Sequence, residues 1–141
     1  MKILIINGPN LNMLGKRDPS HYGSKSLDQI NEAISSRAAA LRVECVFYQS
    51  NHEGAIIDFI QEQSNTADGI IINAGALTHY SYSIMDALID CRLPVIEVHL
   101  SDIHTREGFR QKSVIEPIAR KQISGHGWQG YIEALDLLAT M

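Results

Sequence analysis

Cysteine is scarce in this chain: of 141 residues only Cys45 and Cys91 are cysteines, isolated from each other and from any metal-type spacing. That excludes a thiolate-built metal site, and the apolar neighbours of each predict a reduced, buried thiol without a catalytic role. An excess of basic charge is also missing. The formal net charge is -4, with no concentrated basic face of the kind a phosphate backbone requires, so nucleic acid is excluded as a partner while small anions remain open through local arginines. Long hydrophobic runs are absent too. The apolar start Ile3-Leu4-Ile5-Ile6 stops at Asn7-Gly8-Pro9, too short for a signal segment or a membrane span, which predicts a cytoplasmic protein. No stretch is low in complexity, repeated, or rich in Pro and Gly, and the hydrophobic fraction of 45% against 20% charged residues is that of an ordinary globular domain. The length predicts a single domain over residues 1–141.

What is present is an alternation of short apolar runs and helical patterns. Lys2 to Asn7, Val43 to Tyr48, Gly69 to Asn73, Val95 to Leu100 and a weaker Gln122 to Ser124 read as five strands. Between the first two, Leu27, Ile30, Ile34, Ala38 and Leu41 recur every three or four residues as the stripe of an amphipathic helix, with Ser26 and Gln29 as its capping box. Further helices are expected over Ala55 to Gln63, Ser81 to Cys91 and Gln129 to Ala139. Strands apolar on both faces, such as Ile70-Ile71-Ile72, suit a parallel sheet covered on both sides. Right-handed crossovers then give an α/β, flavodoxin-like, doubly wound three-layer sandwich. Ser113 to Lys121 mixes turn, helix and strand signals.

In such a fold, ligands bind beyond the carboxyl ends of the strands. The segments there carry unusual chemistry: Asn10, Arg17 and Tyr22 after the first strand, Asn73 and His79 at and after the third, and Glu97, His99, Leu100 and Ser101 at the end of the fourth. Taken singly, each has an ordinary structural explanation, Asn as a turn or cap residue and His as a satisfied strand-end side chain. Their convergence on one sheet edge is not explained that way. Period-two geometry puts Glu97 and His99 on one face of their strand, so the carboxylate can orient the imidazole for proton transfer. Arg106 and Arg110, four apart, would share a face on a helical turn and could hold a carboxylate, or simply form a solvated basic face.

The blocks GPNLNMLGKRDPSHYG, QSNHEG, NAGALTHYS, EVHLSDIHTREGFR and ISGHGWQGY together resemble the type II 3-dehydroquinate dehydratase family, over nearly the whole chain. The resemblance implies dehydration of 3-dehydroquinate to 3-dehydroshikimate without a cofactor, metal or Schiff-base lysine, in a dodecamer assembled from trimers. Carried over by motif, Tyr22 is the base, Arg17 the cation beside it, Asn10 the residue positioning a water near the enolate, and His99 the acid oriented by Glu97. Asn73, His79 and Arg110 match positions that hold substrate hydroxyls, and Leu100 and Ser101 those whose backbone amides receive its carboxylate. Asp86 matches a residue reaching a neighbouring subunit's site, and Arg106 a position near the active-site loop. Leu77 and Tyr80 stand where the family commonly has Tyr and a small polar residue, Asp102 where Asn is frequent, and Asp18 where Glu is. A flavodoxin-like binding or signalling module is the rival class. It is disfavoured by the lack of a Ser/Thr-rich phosphate loop after the first strand and by Asn73 where a phospho-accepting receiver would present Asp. A non-catalytic scaffold of the same family is left open by the sequence.

Overall fold

The computed structural model describes residues 1–16 and 24–141. Five strands, β1 (Lys2–Asn7), β2 (Glu44–Gln49), β3 (Gly69–Asn73), β4 (Val95–His99) and β5 (Lys121–Ser124), form one parallel sheet in the order β2-β1-β3-β4-β5. Helices α1 (Leu27–Leu41), α2 (Glu53–Gln63), α3 (Tyr82–Cys91) and α4 (Gln129–Ala139) cover it. Alternation along the strands divides the core into two layers. Ile3, Ile5, Ile71, Ile96 and Val98 pack with Ile30 and Ile34 of α1 and Ala134, Leu135 and Leu138 of α4. Leu4, Ile6, Ile70, Ile72 and Val95 pack with Ile56 and Ile60 of α2 and Ile84 and Leu88 of α3. The doubly wound sandwich read from the apolar pattern is therefore the observed architecture.

Element boundaries moved by one or two residues, each for a local reason. The capping box of α1 forms as expected: the Gln29 N–H donates to Ser26 Oγ and the Ser26 N–H to Gln29 Oε1. At its other end Arg42 takes up the left-handed region at φ 58 and the Val43 N–H donates back to Ala38 O, so β2 begins at Glu44 and not at Val43. Helix α2 starts at Glu53, ahead of the expected Ala55, with His52 at its N-cap. β4 ends at His99, because Leu100 already belongs to a turn whose carbonyl accepts the Gly127 N–H. The mixed stretch after Ser113 holds one short 3-10 turn at Glu116–Ile118. Cys45 and Cys91 are half-buried rather than fully buried; burial and then Glu44 push the Cys45 thiol up to about 11, and burial raises Cys91. Both stay protonated thiols.

From β1 the chain crosses to β2 on one side and later to β3 on the other, so the connections diverge between β1 and β3, where this class of fold opens its ligand crevice. The two segments leaving these strands are pressed together there. The Gly8 N–H donates to Asn73 O at 2.8 Å, and a Cβ on Gly8 would lie 2.3 Å from the Ala74 carbonyl oxygen. Gly75, at φ 62, faces Pro9 O in the same way. Backbone cannot withdraw as a side chain can. Gly8→Ala is therefore expected to cost at least ~2 kcal/mol of unfolding free energy. Gly54→Ala, in the first turn of α2 with nothing near its added methyl, should instead stabilise by ~0.5–1 kcal/mol. Urea denaturation of the two variants checks both signs, and equal midpoints would contradict the close approach.

Candidate active site

The crevice at the divergence point is walled by Pro9, Asn10 and Leu11 after β1, by Asn73, Gly75, Ala76 and His79 after β3, and by His99, Leu100, Ser101, Ile103, Arg106 and Arg110 at and after β4. Among the residues expected from sequence, the structure thus gathers Asn10, Asn73, His79, His99, Leu100, Ser101, Arg106 and Arg110 around one cavity. Glu97 stands directly behind His99. Asp86 is exposed on α3 and does not line this cavity. Arg17 and Tyr22, with Asp18, lie outside the described residues.

The wall at β4 is the most constrained. Glu97 is wholly buried and His99 is 5% exposed, with His99 Nε2 and Glu97 Oε2 2.5 Å apart. A carboxylate accepts, so Nε2 carries the hydrogen and Nδ1 is the ring nitrogen left for the cavity side. Oε2 also accepts from Thr78 Oγ1 at 2.5 Å and Ser113 Oγ at 2.7 Å, while Oε1 accepts from Gln122 Nε2 at 3.2 Å. Donor directions are forced. Ser113 Oγ already accepts the N–H groups of Ile115 and Glu116, so its two lone pairs are filled, and Thr78, 3.0 Å from it, must turn its own hydrogen to Glu97. Burial alone would raise the Glu97 pKa. The His99 partner and the two hydroxyls outweigh it and hold the carboxyl below its ordinary 4.5.

Across the cavity, His79 Nδ1 lies 2.6 Å from Lys112 O. A carbonyl only accepts, so Nδ1 carries the hydrogen. Burial is the largest influence on this ring and lowers its pKa, helped by His99 and Arg110. A neutral ring with a bare Nε2 results, able to accept from a hydroxyl. Arg106 Nη1 donates to Ser101 Oγ, and Arg110 Nε donates to Glu107 Oε1 with its guanidinium over the Phe109 ring. The two arginines do not share a helical face as their spacing suggested. Arg106 and Glu107 are extended (ψ 173 and ψ 145) between two separate 3-10 turns, and both side chains nevertheless reach the cavity.

Of the lining residues, Asn73 is anchored from α4. Asn7 and Asn73 are register partners at the ends of β1 and β3, and the wholly buried Tyr131 of α4 joins them: Asn73 Nδ2 donates to its hydroxyl at 3.0 Å, and that hydroxyl donates to Asn7 Oδ1 at 2.5 Å. Asn73 Oδ1 in turn accepts the Gly75 N–H. Burial keeps the phenol of Tyr131 protonated well above its usual range. The Asn10 N–H is fixed by Asn51 Oδ1, and Gln49 Nε2 donates to Gly8 O.

Residues 1–139 match the family model described as Dehydroquinase class II. The chain belongs to the class II dehydroquinase family. It is 57% identical over 138 residues to a 3-dehydroquinate dehydratase of Roseiflexus castenholzii, covering 98% of this chain and 88% of that protein. The corresponding protein of Halothermothrix orenii is 52% identical, covering 99% and 95%. In three dimensions it is similar to the type II dehydroquinase of Butyrivibrio crossotus, with a TM-score of 0.95 at 51% identity, covering 98% of this chain and 97% of that one.

Within this dehydroquinase the departures from the common motif have local explanations. Leu77 is buried against the α2–α3 layer, Tyr80 is 61% exposed, and Asp102 Oδ1 accepts the His104 N–H. The residues that sequence reasoning missed are Thr78, Ser113, Gln122, Asn7 and, as a polar group, Tyr131. Of these, Thr78 and Tyr131 lie inside quoted motif blocks and Asn7 and Gln122 directly precede two others, and Thr78 alone adjoins a residue assigned a site role, His79.

Thr78→Val removes one donor from a buried anion and should cost about 2 kcal/mol at neutral pH. A depressed carboxyl contributes its stability above the unfolded-state pKa and loses it as pH falls through the folded value. Removing the donor raises that folded value, so acid unfolding of Thr78→Val should begin at higher pH than in the wild type. Denaturant melts across the acid range read both effects, and an unshifted acid limb would show that Thr78 does not stabilise the carboxylate.

Proposed function

We propose that the chain dehydrates 3-dehydroquinate to 3-dehydroshikimate by way of an enolate, in the shikimate pathway or in quinate breakdown. The observation that carries the reading is the Glu97–His99 pair, built into the wall of the crevice in a chain of this family. Tyr22, as phenolate, removes the proton from the carbon beside the ketone. An ordinary phenol has a pKa of about 10 and is mostly protonated at neutral pH, so Arg17 is the cation that favours its anion. The electron pair moves onto the ketone oxygen, where a water held by Asn10 donates to the developing charge. The enolate then collapses, breaking the carbon–oxygen bond, and His99 Nδ1 delivers a proton so that water rather than hydroxide departs. Glu97 stabilises the imidazolium that this donor requires. Asn73, His79 and Arg110 take substrate hydroxyls, and the backbone amides of Leu100 and Ser101 take its carboxylate. Family likeness further supports a dodecamer assembled from trimers, in which Asp86 reaches a neighbour's site. No helix among the described residues is long and apolar enough to cross a membrane, which is compatible with the cytoplasmic location proposed.

Mixing the protein with 3-dehydroquinate and following the ultraviolet absorbance of the conjugated enone tests the activity. His99→Ala and Tyr22→Phe should each slow turnover by at least ~100-fold with the fold intact, and near-wild-type turnover in either would remove that residue from its role. Arg17→Ala, lacking the cation that lowers the phenol's pKa, should move the acid limb of the turnover profile to higher pH. A change confined to the Michaelis constant would make Arg17 a substrate ligand instead.

A further inference from the structure

Beyond the cavity wall, the hydrogen-bond chain through Glu97 continues to the surface. Gln122 is the register partner of Glu97 on the neighbouring strand β5, and its Nε2 is the donor to Glu97 Oε1. His104, exposed on the 3-10 turn Ile103–Thr105 that follows β4, has Nε2 2.9 Å from Gln122 Oε1. Neither residue lines the cavity.

The directions in this chain are set from its buried end. Glu97 only accepts, so Gln122 must present its amide nitrogen inward and its carbonyl outward. That outward carbonyl needs a donor, so His104 must carry a hydrogen on Nε2. The His104 backbone is itself held, its N–H donating to Asp102 Oδ1. All other donors to Glu97 converge on Oε2, and among the described residues Gln122 supplies the one on Oε1.

We propose that Gln122, braced from outside by His104, is a positioning residue that sets how strongly Glu97 holds the proton-donating imidazole of His99. The proposal rests on the acid role given to His99 above. A carboxylate sharing its charge with a Gln122 N–H attracts the His99 imidazolium less. Without that donor the imidazolium is held more firmly, its proton is released less readily, and the ring stays protonated to higher pH. Among the described residues, the charged and titratable groups facing the pair are His79 from the turn after β3 and Arg106 and Arg110 from the segment after β4. Asp102, Lys121, His126 and Glu133 surround His104 in its surface hollow. The substitutions below leave all of these in place.

Nitrogen-15 NMR of the histidine rings, without substrate, reads the brace directly. In the wild type, neutral His104 should be the Nε2–H tautomer; the Nδ1–H tautomer would overturn the proposal whether or not any variant folds. In Gln122→Leu the His99 titration should move up by about one pH unit, the worth of one hydrogen bond to a charged group. His104→Ala should move it in the same direction by less. With 3-dehydroquinate, Gln122→Leu should lose about tenfold in kcat with KM within about twofold, and the alkaline limb of kcat should follow the His99 shift. A purely structural Gln122 would lower the melting temperature and leave the His99 titration and the alkaline limb in place, which overturns the proposal. Failure of the dehydratase reading is distinguishable: the wild type would then be inactive while the ring titrations still report on the brace.

Discussion

A carboxylate with no access to water sits at the centre of this protein, and its surroundings are arranged to keep it charged. Glu97 is wholly buried, a condition that costs several kcal/mol unless the anion's lone pairs are filled. Four donors from four places in the chain fill them: Thr78 after β3, His99 on its own strand, Ser113 on the return toward β5, and Gln122 on β5 itself. Because these segments meet at one acceptor, the anion gathers the cavity wall as well as charging it. The imidazole is therefore fixed in position and tautomer before any ligand arrives, the preorganisation that proton transfer needs.

The second constraint is the crowding between β1 and β3. Parallel strands that send their connections to opposite sides leave a gap at their carboxyl ends. Here the gap is narrowed at its base by Gly8 against Ala74 and by Gly75 against Pro9, and its lining residue Asn73 is anchored by the Asn7–Tyr131–Asn73 bridge. Side chains beyond these close contacts, among them Asn10, His79 and Arg110, then face one another across the opening. Rigid backbone beneath and polar side chains above give a site whose dimensions are set by the sheet.

Much of this was legible beforehand because it follows from periodicity. The stripe from Leu27 to Leu41, the Ser26–Gln29 box and the two-sided apolar strands specify layers and order, and the spacing of Glu97 and His99 places them on one face. Other features depend on contacts that no local pattern encodes. Thr78, Ser113 and Gln122 are common polar residues whose importance arises from strand register and from the return of the chain at Ser113. Tyr131 reads as one more apolar position of α4, and its hydroxyl matters because Asn7 and Asn73 lie side by side. The spacing of Arg106 and Arg110 suggested a helical turn, whereas extended backbone at Arg106 and Glu107 carries them to the same cavity by another route.

The bridge through Tyr131 ties one lining residue to the packing of a helix that does not itself line the cavity. Its two asparagines end β1 and β3, whereas the phenol between them belongs to α4. A shift of α4 against the sheet would therefore be felt at the Asn73 amide in the cavity wall, so helix packing and the aim of a polar group are coupled through one phenol.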